Sequence, residues 1–202
     1  MHEIGQMAWD LERLKLGIEG GYQDQFAAAY GGWNVMEFSE KGTKVTPLFV
    51  EEDVLRELLV SLILVDLGKS RVSSGIIKRQ VSRYEDPEIV RVLDTIKQIT
   101  ERMERALVAG YMTDLGFLLS EEWVQKKKLD RQISNKTIER FHAGMLKHGA
   151  IGGKLLGAGD GGHMLFLSDL SKRKELLDYV SNSGFRHIPF RFDNQGVVSW
   201  KV

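Results

Sequence analysis

Residues 149–162 of the 202-residue chain read Gly149-Ala-Ile-Gly-Gly-Lys-Leu-Leu-Gly-Ala-Gly-Asp-Gly-Gly162, and they hold seven of its 21 glycines. Clustered glycines permit positive φ angles and expose consecutive backbone N–H groups, which suits the binding of an anion. Lys154 would add a positive charge. A tight connection that binds no ligand explains the same glycine content equally well. The glycine spacing alone therefore favours neither a functional loop nor a plain connection.

The elements around this segment follow a mixed order. Asp86-Pro87 predicts a helix start, because aspartate caps free N–H groups and proline suits the first helical position. Thr113 and Ser134 predict the caps of two further helices, and residues 3–16 predict a helix near the start of the chain. Predicted strands cover 33–38, 44–50, 62–67, 164–168, 185–192 and 197–201. Adjacent strands late in the chain favour an α+β fold over a doubly wound parallel sheet.

Composition excludes several classes of protein. Lys+Arg and Asp+Glu both total 28, so no net field attracts nucleic acid or an anionic membrane surface. The chain has no cysteine, which excludes disulfides and thiolate metal sites and is typical of the cytoplasm. No apolar run approaches the ~20 residues of a membrane span. The run Lys126–Lys128 is interpreted as a solvated helix face, and the histidines show no metal-ligand spacing.

Two common phosphate-binding motifs do not fit the glycine segment. A dinucleotide-binding Gly-x-Gly-x-x-Gly opens a helix after a strand, whereas this segment follows a helix and leads into a strand. A Walker A loop requires Ser or Thr after its lysine, and Lys154 is followed by Leu155. Neither scheme of nucleotide binding is expected here.

Five stretches, taken in order, resemble the GHMP kinases. They are Gly21–Gly32, which contains Gln-Asp-Gln, Gly68–Ser74, Trp123–Lys128, Ile133–Asn135 and Gly149–Phe166. Within that superfamily they are most similar to the D-glycero-D-manno-heptose 7-phosphate kinase branch. The resemblance covers nearly the whole chain. Asp160 and His163 depart from it, standing where glycine and a large apolar residue are expected.

The resemblance implies an α+β fold in two parts. Residues 61–202 would form a GHMP kinase C-terminal domain, a ferredoxin-like sandwich, and residues 1–60 a remnant of the N-terminal kinase domain. The Gly-Leu-Gly-Ser-Ser type of phosphate loop that these kinases carry does not occur in the 202 residues. The chain is therefore expected to be the C-terminal part of such a kinase.

The implied activity is ATP-dependent phosphorylation of the anomeric hydroxyl of a heptose 7-phosphate, on the route to bacterial surface glycans. Asp24 matches the family's catalytic aspartate, which would orient the attacking hydroxyl and accept its proton. Without the resemblance, an aspartate in a glycine-rich turn is more often a turn residue or a helix cap. The implied sugar and sugar-phosphate contacts are Gly21, Gln23, Gln25, Lys69, Ser70 and Arg71. The implied phosphate loop comprises Gly153, Lys154, Gly157, Ala158, Gly159, Gly161 and Gly162.

Cofactors and partners follow from the same resemblance. ATP and Mg²⁺ are implied, with their main ligands in the absent half, and this chain is expected to hold no metal site of its own. The expected partners are a small-molecule sugar phosphate and either a separately encoded N-terminal half or a second copy. The alternative is a non-catalytic C-terminal domain fragment that serves as a binding or association module. In a complete kinase residues 1–60 would pack on an N-terminal domain, so an uncovered apolar face is expected around Met7, Trp9 and Leu11.

Overall fold

The computed structural model describes residues 1–68 and 74–200, which divide into two compact units. The first unit comprises Met1–Val50 and the C-terminal residues from Arg191 onward, and the second comprises Glu51–Phe190. Across the described ranges, no helix combines the length and the apolar character that crossing a bilayer requires. The assignment of 1–60 and 61–202 to two kinase domains stays a prediction.

The first unit consists of helices and a hairpin. Helix α1 (His2–Trp9) continues as a π-helical segment (Asp10–Lys15), so the helix predicted at 3–16 is confirmed. Helix α2 spans Gln23–Tyr30, and strands β1 (Asn34–Ser39) and β2 (Gly42–Pro47) pair antiparallel. The segment that contains Gln-Asp-Gln is therefore the first turn of a helix, not a loop.

Aromatic packing joins α1 to α2 in this unit. Trp9 stacks on Tyr22 with ring centroids 4.3 Å apart, and Phe26 is fully buried. Gly5 allows the two helices to approach, since a β-carbon there would lie 3.1 Å from the Phe26 ring. The unit thus has a small aromatic core of its own.

The C-terminal residues of the first unit pack against the end of α2. Val197 N–H donates to the Ala29 carbonyl at 3.1 Å, and the backbones of Gly31 and Gly196 are in close contact. The strand predicted at 197–201 is wrong for residues 197–200. Val197 contacts the C-terminal end of α2, and a helix end offers no row of backbone carbonyls with which a strand could pair.

The second unit is an antiparallel sheet covered by helices. Strands β3 (Leu62–Asp66), β4 (Ala150–Leu155), β5 (His163–Ser168) and β6 (Arg186–Ile188) lie in the order β4-β5-β3-β6, and each neighbouring pair is antiparallel. Its helices are α3 (Glu52–Ser61), α4 (Ser74–Val81), α5 (Pro87–Val108), α6 (Met112–Leu129), α7 (Lys136–Lys147) and α8 (Arg173–Asn182). The predicted α+β class is confirmed.

The core of the second unit lies between the sheet and its helices. Trp123 of α6 and Phe166 of β5 are almost completely buried, and Phe141 of α7 contacts Phe185 with ring centroids 4.7 Å apart. Ile63 of β3 is also fully buried, because the apolar stretch 62–65 forms a central strand of the sheet.

One of the three predicted helix caps agrees with the structure and two do not. Asp86 caps α5 as predicted, since its carboxylate accepts the Glu88 N–H at 2.9 Å. Asn135, not Ser134, caps α7 by accepting from two N–H groups, while the Ser134 hydroxyl donates to Glu139. Thr113 lies inside α6, which begins one residue earlier at Met112. Asn135 rather than Ser134 caps α7 because the Ser134 hydroxyl already donates to Glu139.

The strand boundaries also differ from expectation in two places. The strand predicted at 185–192 is only Arg186–Ile188, because the residues after it leave the sheet. Strand β4 was not predicted, and it takes up the first half of the glycine segment. The loop that remains runs over residues 156–162.

Candidate functional site

Two glycines of β4, Gly152 and Gly153, serve packing, and the second of them belongs to the predicted phosphate loop. A β-carbon on Gly152 would collide with the carbonyl of Gly116 in α6, and one on Gly153 would collide with the Phe166 ring. The Gly153 N–H is also engaged, since it donates to Ser120 Oγ at 3.1 Å. Glycine is required here because α6 and β5 press against both sides of β4.

Lys154 lies in β4 as well, and its charge is already paired. Its Nζ is 2.8 Å from Glu122 Oε2, with 21% and 11% of the two side chains exposed. The phosphate-binding role of Lys154 stays a prediction, and the buried Glu122 carboxylate already offsets the charge of the lysine.

The loop over residues 156–162 has an irregular backbone that glycines permit. Gly157, Gly159 and Gly162 have φ angles of 66°, 130° and 85°, and Asp160 adopts a left-handed φ of 59°. A β-carbon on Gly159 would lie 2.7 Å from Ile133 Cα, so the loop runs directly against the chain before α7. Close contact and positive φ both require glycine at this position.

Asp160 fastens the loop to the start of α7. Its N–H donates to the Ile133 carbonyl at 2.9 Å, and its carboxylate accepts from Asn135 Nδ2 at 3.2 Å. An acid beside a bound phosphate is unfavourable unless its carboxylate points away from the phosphate. Its hydrogen bond to Asn135 gives the carboxylate a structural role.

Five N–H groups of the loop donate to no acceptor among the residues that the structure describes. Leu156 N–H donates to His163 O at 2.9 Å, and the Gly162 carbonyl accepts from Leu67 N–H at 2.9 Å. Across the described part of the chain, the unpaired N–H groups of this loop are those of Gly157, Ala158, Gly159, Gly161 and Gly162. Backbone N–H groups presented by left-handed turns form concave anion sites, so this loop fits a phosphate group.

A lysine side chain, that of Lys126 in α6, also reaches this loop. Its Nζ donates to the carbonyls of Leu155 at 3.1 Å and Gly157 at 2.7 Å. Burial, followed by the Lys154 charge, lowers the pKa of Lys126 to about 8, and Glu122 partly opposes this shift. Sequence reasoning missed this role.

The run Lys126–Lys128 is not the solvated face that the sequence suggested. Lys127 pairs with Glu139 at 2.7 Å, and only Lys128 is exposed, with a hydrogen bond to Gln125. Three successive lysines on a helix point in different directions, and at the C-terminal end of α6 two of those directions meet neighbouring elements.

Asp24 lies in the first unit, in the first turn of α2. It is exposed, and the helix N-terminus favours a carboxylate there. With Gln25 it borders an open groove of about 480 Å³. The groove walls are mainly apolar and come from Ile4, Ala8, Leu11, Leu16, Ala28, Ala29 and Val197, with Glu12 beside them.

The residues near Asp24 in the sequence differ in exposure and in the hydrogen-bonding groups that they could present to a sugar. Gln23 is exposed, and Gly21 is exposed with open space around it. The Gln25 amide nitrogen donates to the Glu12 carboxylate, whereas its carbonyl oxygen is buried without a hydrogen bond among the residues described. The Gln25 amide therefore keeps one further N–H donor and a buried carbonyl acceptor. Lys69, Ser70 and Arg71 lie outside the described residues.

Comparison with known proteins identifies the domain that carries the glycine loop. Residues 103–186 match the family model described as GHMP kinases C terminal, and these residues include α6, β4, the loop and β5. This part of the chain is similar to the C-terminal domain of GHMP kinases. The predicted resemblance to this superfamily is confirmed.

Relatives of this chain include sugar kinases. The chain is 33% identical over all 202 residues to the D-glycero-alpha-D-manno-heptose 7-phosphate kinase of Campylobacter jejuni and spans 60% of that protein. It is 30% identical over 86% of its length to the bifunctional fucokinase/GDP-fucose pyrophosphorylase of Arabidopsis thaliana, spanning 17% of that protein. The crystal structure of a D-glycero-D-manno-heptose 1-phosphate kinase from Bacteroides thetaiotaomicron superposes with a TM-score of 0.67 and 27% identity. That match covers 98% of this chain and 54% of the crystallised one.

Metal ligands do not gather in the parts of either unit that the structure describes. Within residues 1–68 and 74–200, no three His, Asp or Glu side chains form a group able to hold a metal ion. Mg²⁺ in phosphate-transfer sites is commonly held by one or two carboxylates together with the phosphates of the nucleotide.

Proposed function

We propose that this chain contributes to an ATP-dependent sugar-phosphate kinase that phosphorylates the anomeric hydroxyl of a heptose 7-phosphate. The observation that carries the proposal is the set of N–H groups at Gly157, Ala158, Gly159, Gly161 and Gly162 that have no acceptor within the described residues, in a loop covered by the GHMP kinase family match. The identity of 33% to a heptose 7-phosphate kinase over the whole chain supports the choice of sugar. Such an enzyme would act in the cytoplasm and would supply activated heptose for the synthesis of surface glycans.

The phosphate-binding role falls on the loop and not on the strand before it. Gly157, Ala158, Gly159, Gly161 and Gly162 would surround a phosphate group of ATP, because unpaired N–H groups replace its hydration shell. Gly153 and Lys154 have partners within the domain, so they would support the strand and would not touch phosphate.

Asp24 would act on the sugar. Its carboxylate would orient the anomeric hydroxyl and accept its proton while the hydroxyl oxygen bonds to the γ-phosphorus and the β–γ bridging bond breaks, releasing ADP. Mg²⁺, held mainly by the phosphates, would neutralise their charge. Gly21, Gln23 and Gln25 would line the sugar, and Lys69, Ser70 and Arg71 would bind its 7-phosphate, with Arg71 as a bidentate donor.

The assay that tests this function measures ADP release with Mg²⁺-ATP and D-glycero-D-manno-heptose 7-phosphate. It uses the chain alone and the chain supplied, by fusion or in trans, with the part of the Campylobacter relative that it does not span. The expected product carries a new anomeric phosphate, detected by ³¹P NMR. L-Fucose serves as the competing acceptor, because the Arabidopsis relative is a fucokinase. Failure of both preparations to release ADP with either sugar contradicts the proposal.

One observation favours the second candidate, an association module. Met7, Leu11, Leu14 and Leu16 are between 54% and 70% exposed, and together they form an apolar stripe on the first unit. Contiguous apolar surface of this kind typically marks a contact with another polypeptide. The partner would be a separately encoded remainder of the kinase or a second copy of this chain. Trp9, predicted to belong to this face, stacks instead on Tyr22.

A further inference from the structure

We propose that Lys126 is a positioning residue for the glycine loop, which it holds so that the Ala158 N–H faces a bound anion. The inference rests on the proposed phosphate-binding function. It adds that phosphate binding by the loop depends on a residue outside the loop. Lys126 lies in α6, and the carbonyls that it binds belong to Leu155 and Gly157, on either side of the point where β4 becomes the loop.

The geometry of the peptide bond links Lys126 to the direction of the Ala158 N–H. In a trans peptide the C=O and the following N–H point to opposite sides, and the described residues contain no cis peptide bond. The Gly157 carbonyl points to Lys126 Nζ at 2.7 Å. The Ala158 N–H in the same peptide unit therefore points away from Lys126, and it has no acceptor in the described part of the protein.

The hydrogen bonds of Leu156 and Asp160 hold other points of the loop. The Leu156 N–H is bound to His163 O, and the Asp160 N–H is bound to Ile133 O. Between these two points, the Gly157–Ala158 peptide is held only by Lys126 among the contacts of the described residues. Without a donor at position 126, that peptide unit can rotate toward water, because glycine permits the change in φ.

The charges around Lys126 favour an anion at the loop. Lys126 and Lys154 carry two positive charges, and Glu122 carries one negative charge one helical turn before Lys126 in α6. The cluster has a net positive charge close to the free N–H groups when all three side chains are ionised. Lys128 lies two residues away and contacts Gln125, so it provides a matched control with the same charge.

The test uses NMR on the full chain as wild type, Lys126→Met, Lys126→Arg and Lys128→Met, with inorganic tripolyphosphate as the probe. In Lys126→Met the amides of Leu156 and Asp160 are expected to exchange at least about tenfold faster with solvent. The amide shifts that tripolyphosphate causes at Ala158, Gly159 and Gly161 should require at least about tenfold more ligand. Lys126→Arg should restore both properties because it retains the charged donor, and Lys128→Met should match the wild type.

A second measurement requires no variant. The Lys126 ammonium protons of the wild type should exchange slowly enough at low pH to give a ¹⁵Nζ signal, and those of exposed Lys128 should not, because only Lys126 donates to two carbonyls. Equal ammonium exchange for the two lysines overturns the inference, as does unchanged exchange of Leu156 and Asp160 in Lys126→Met. If tripolyphosphate shifts no loop amide of the wild type, the proposed phosphate binding fails, and the exchange data still decide whether Lys126 holds the loop.

Discussion

The backbones of Gly116 in α6 and Gly152 in β4 lie in direct contact, with no space for a side chain on either residue. A β-carbon on Gly116 would lie 2.5 Å from Ile151 Cγ2, and one on Gly152 would overlap the Gly116 carbonyl. The helix therefore rests on the strand itself. This close approach lets Lys126, farther along α6, reach the carbonyls at the end of β4.

Gly152→Ala should destabilise the second unit by about 1–3 kcal/mol, because overpacking forces the helix away from the strand. Urea unfolding followed by circular dichroism measures the change. Gly75→Ala is the matched control: its new β-carbon would lie 3.5 Å from the Arg79 side chain, an ordinary contact, in α4. That control should gain about 0.5–1 kcal/mol, since alanine is the better helix former. Equal stability of the two variants would contradict the close packing.

Much of the fold could be predicted from local patterns. Asp86-Pro87 marks the start of α5, and the apolar residues 62–65 mark β3, because caps and buried strands leave signals within a few residues. Helix α3 was missed because the apolar run that includes its last turn continues directly into β3. β4 was missed because glycines at 152 and 153 look like loop residues, although tertiary packing is what requires them.

The candidate site was predictable only in part. The resemblance to the GHMP kinases pointed to the loop that carries the free N–H groups, and the family match confirms that resemblance. Lys126 could not be identified, because its sequence neighbours are lysines and its two acceptors lie 29 and 31 positions along the chain. The roles of Asp24 and of residues 69–71 stay predictions.

Substitution of the apolar stripe should reduce association of the chain. Leu11→Glu combined with Leu14→Glu places two charges on a surface that is otherwise apolar, and these side chains are 54% and 68% exposed, so folding should persist. Multi-angle light scattering at increasing protein concentration measures the mass, with binding of a fluorescent dye to apolar surface as a second readout. Val108→Glu, on a separate exposed site 46% accessible at the end of α5, is the control. A wild type that stays monomeric without binding dye argues against an association surface.

The stability of the wild type should rise with pH between about 8 and 10.5 relative to Lys126→Met. The folded pKa of Lys126 is lowered from 10.5 to about 8 by burial and by Lys154, against the opposing effect of Glu122. In that pH window the unfolded chain binds more protons at Lys126 than the folded protein does, and stability then increases with pH.

Urea unfolding at pH 7.5, 9 and 10.5 measures this difference in unfolding free energy. Lys128→Met should show no comparable change of slope, because Lys128 is exposed. The neutral Lys126 amine still has N–H groups to donate, so the Leu156 and Asp160 amides, corrected for intrinsic exchange, should stay protected at high pH. A stability difference that falls as the pH rises would be inconsistent with a buried Lys126.

Asp24→Asn should lower the turnover of the proposed kinase by roughly 10²–10⁴-fold, the usual contribution of a positioned acid–base group. Asparagine keeps the shape and a hydrogen bond but removes the charge and the basicity, so the affinity for heptose 7-phosphate should change little. Steady-state ADP release at saturating ATP, with the sugar phosphate varied, separates turnover from KM. Asp178→Asn, an exposed carboxylate on α8, is the control for loss of charge alone. Wild-type turnover in Asp24→Asn would remove Asp24 from the mechanism, whereas a rise in KM with turnover unchanged would give it a role in sugar binding only.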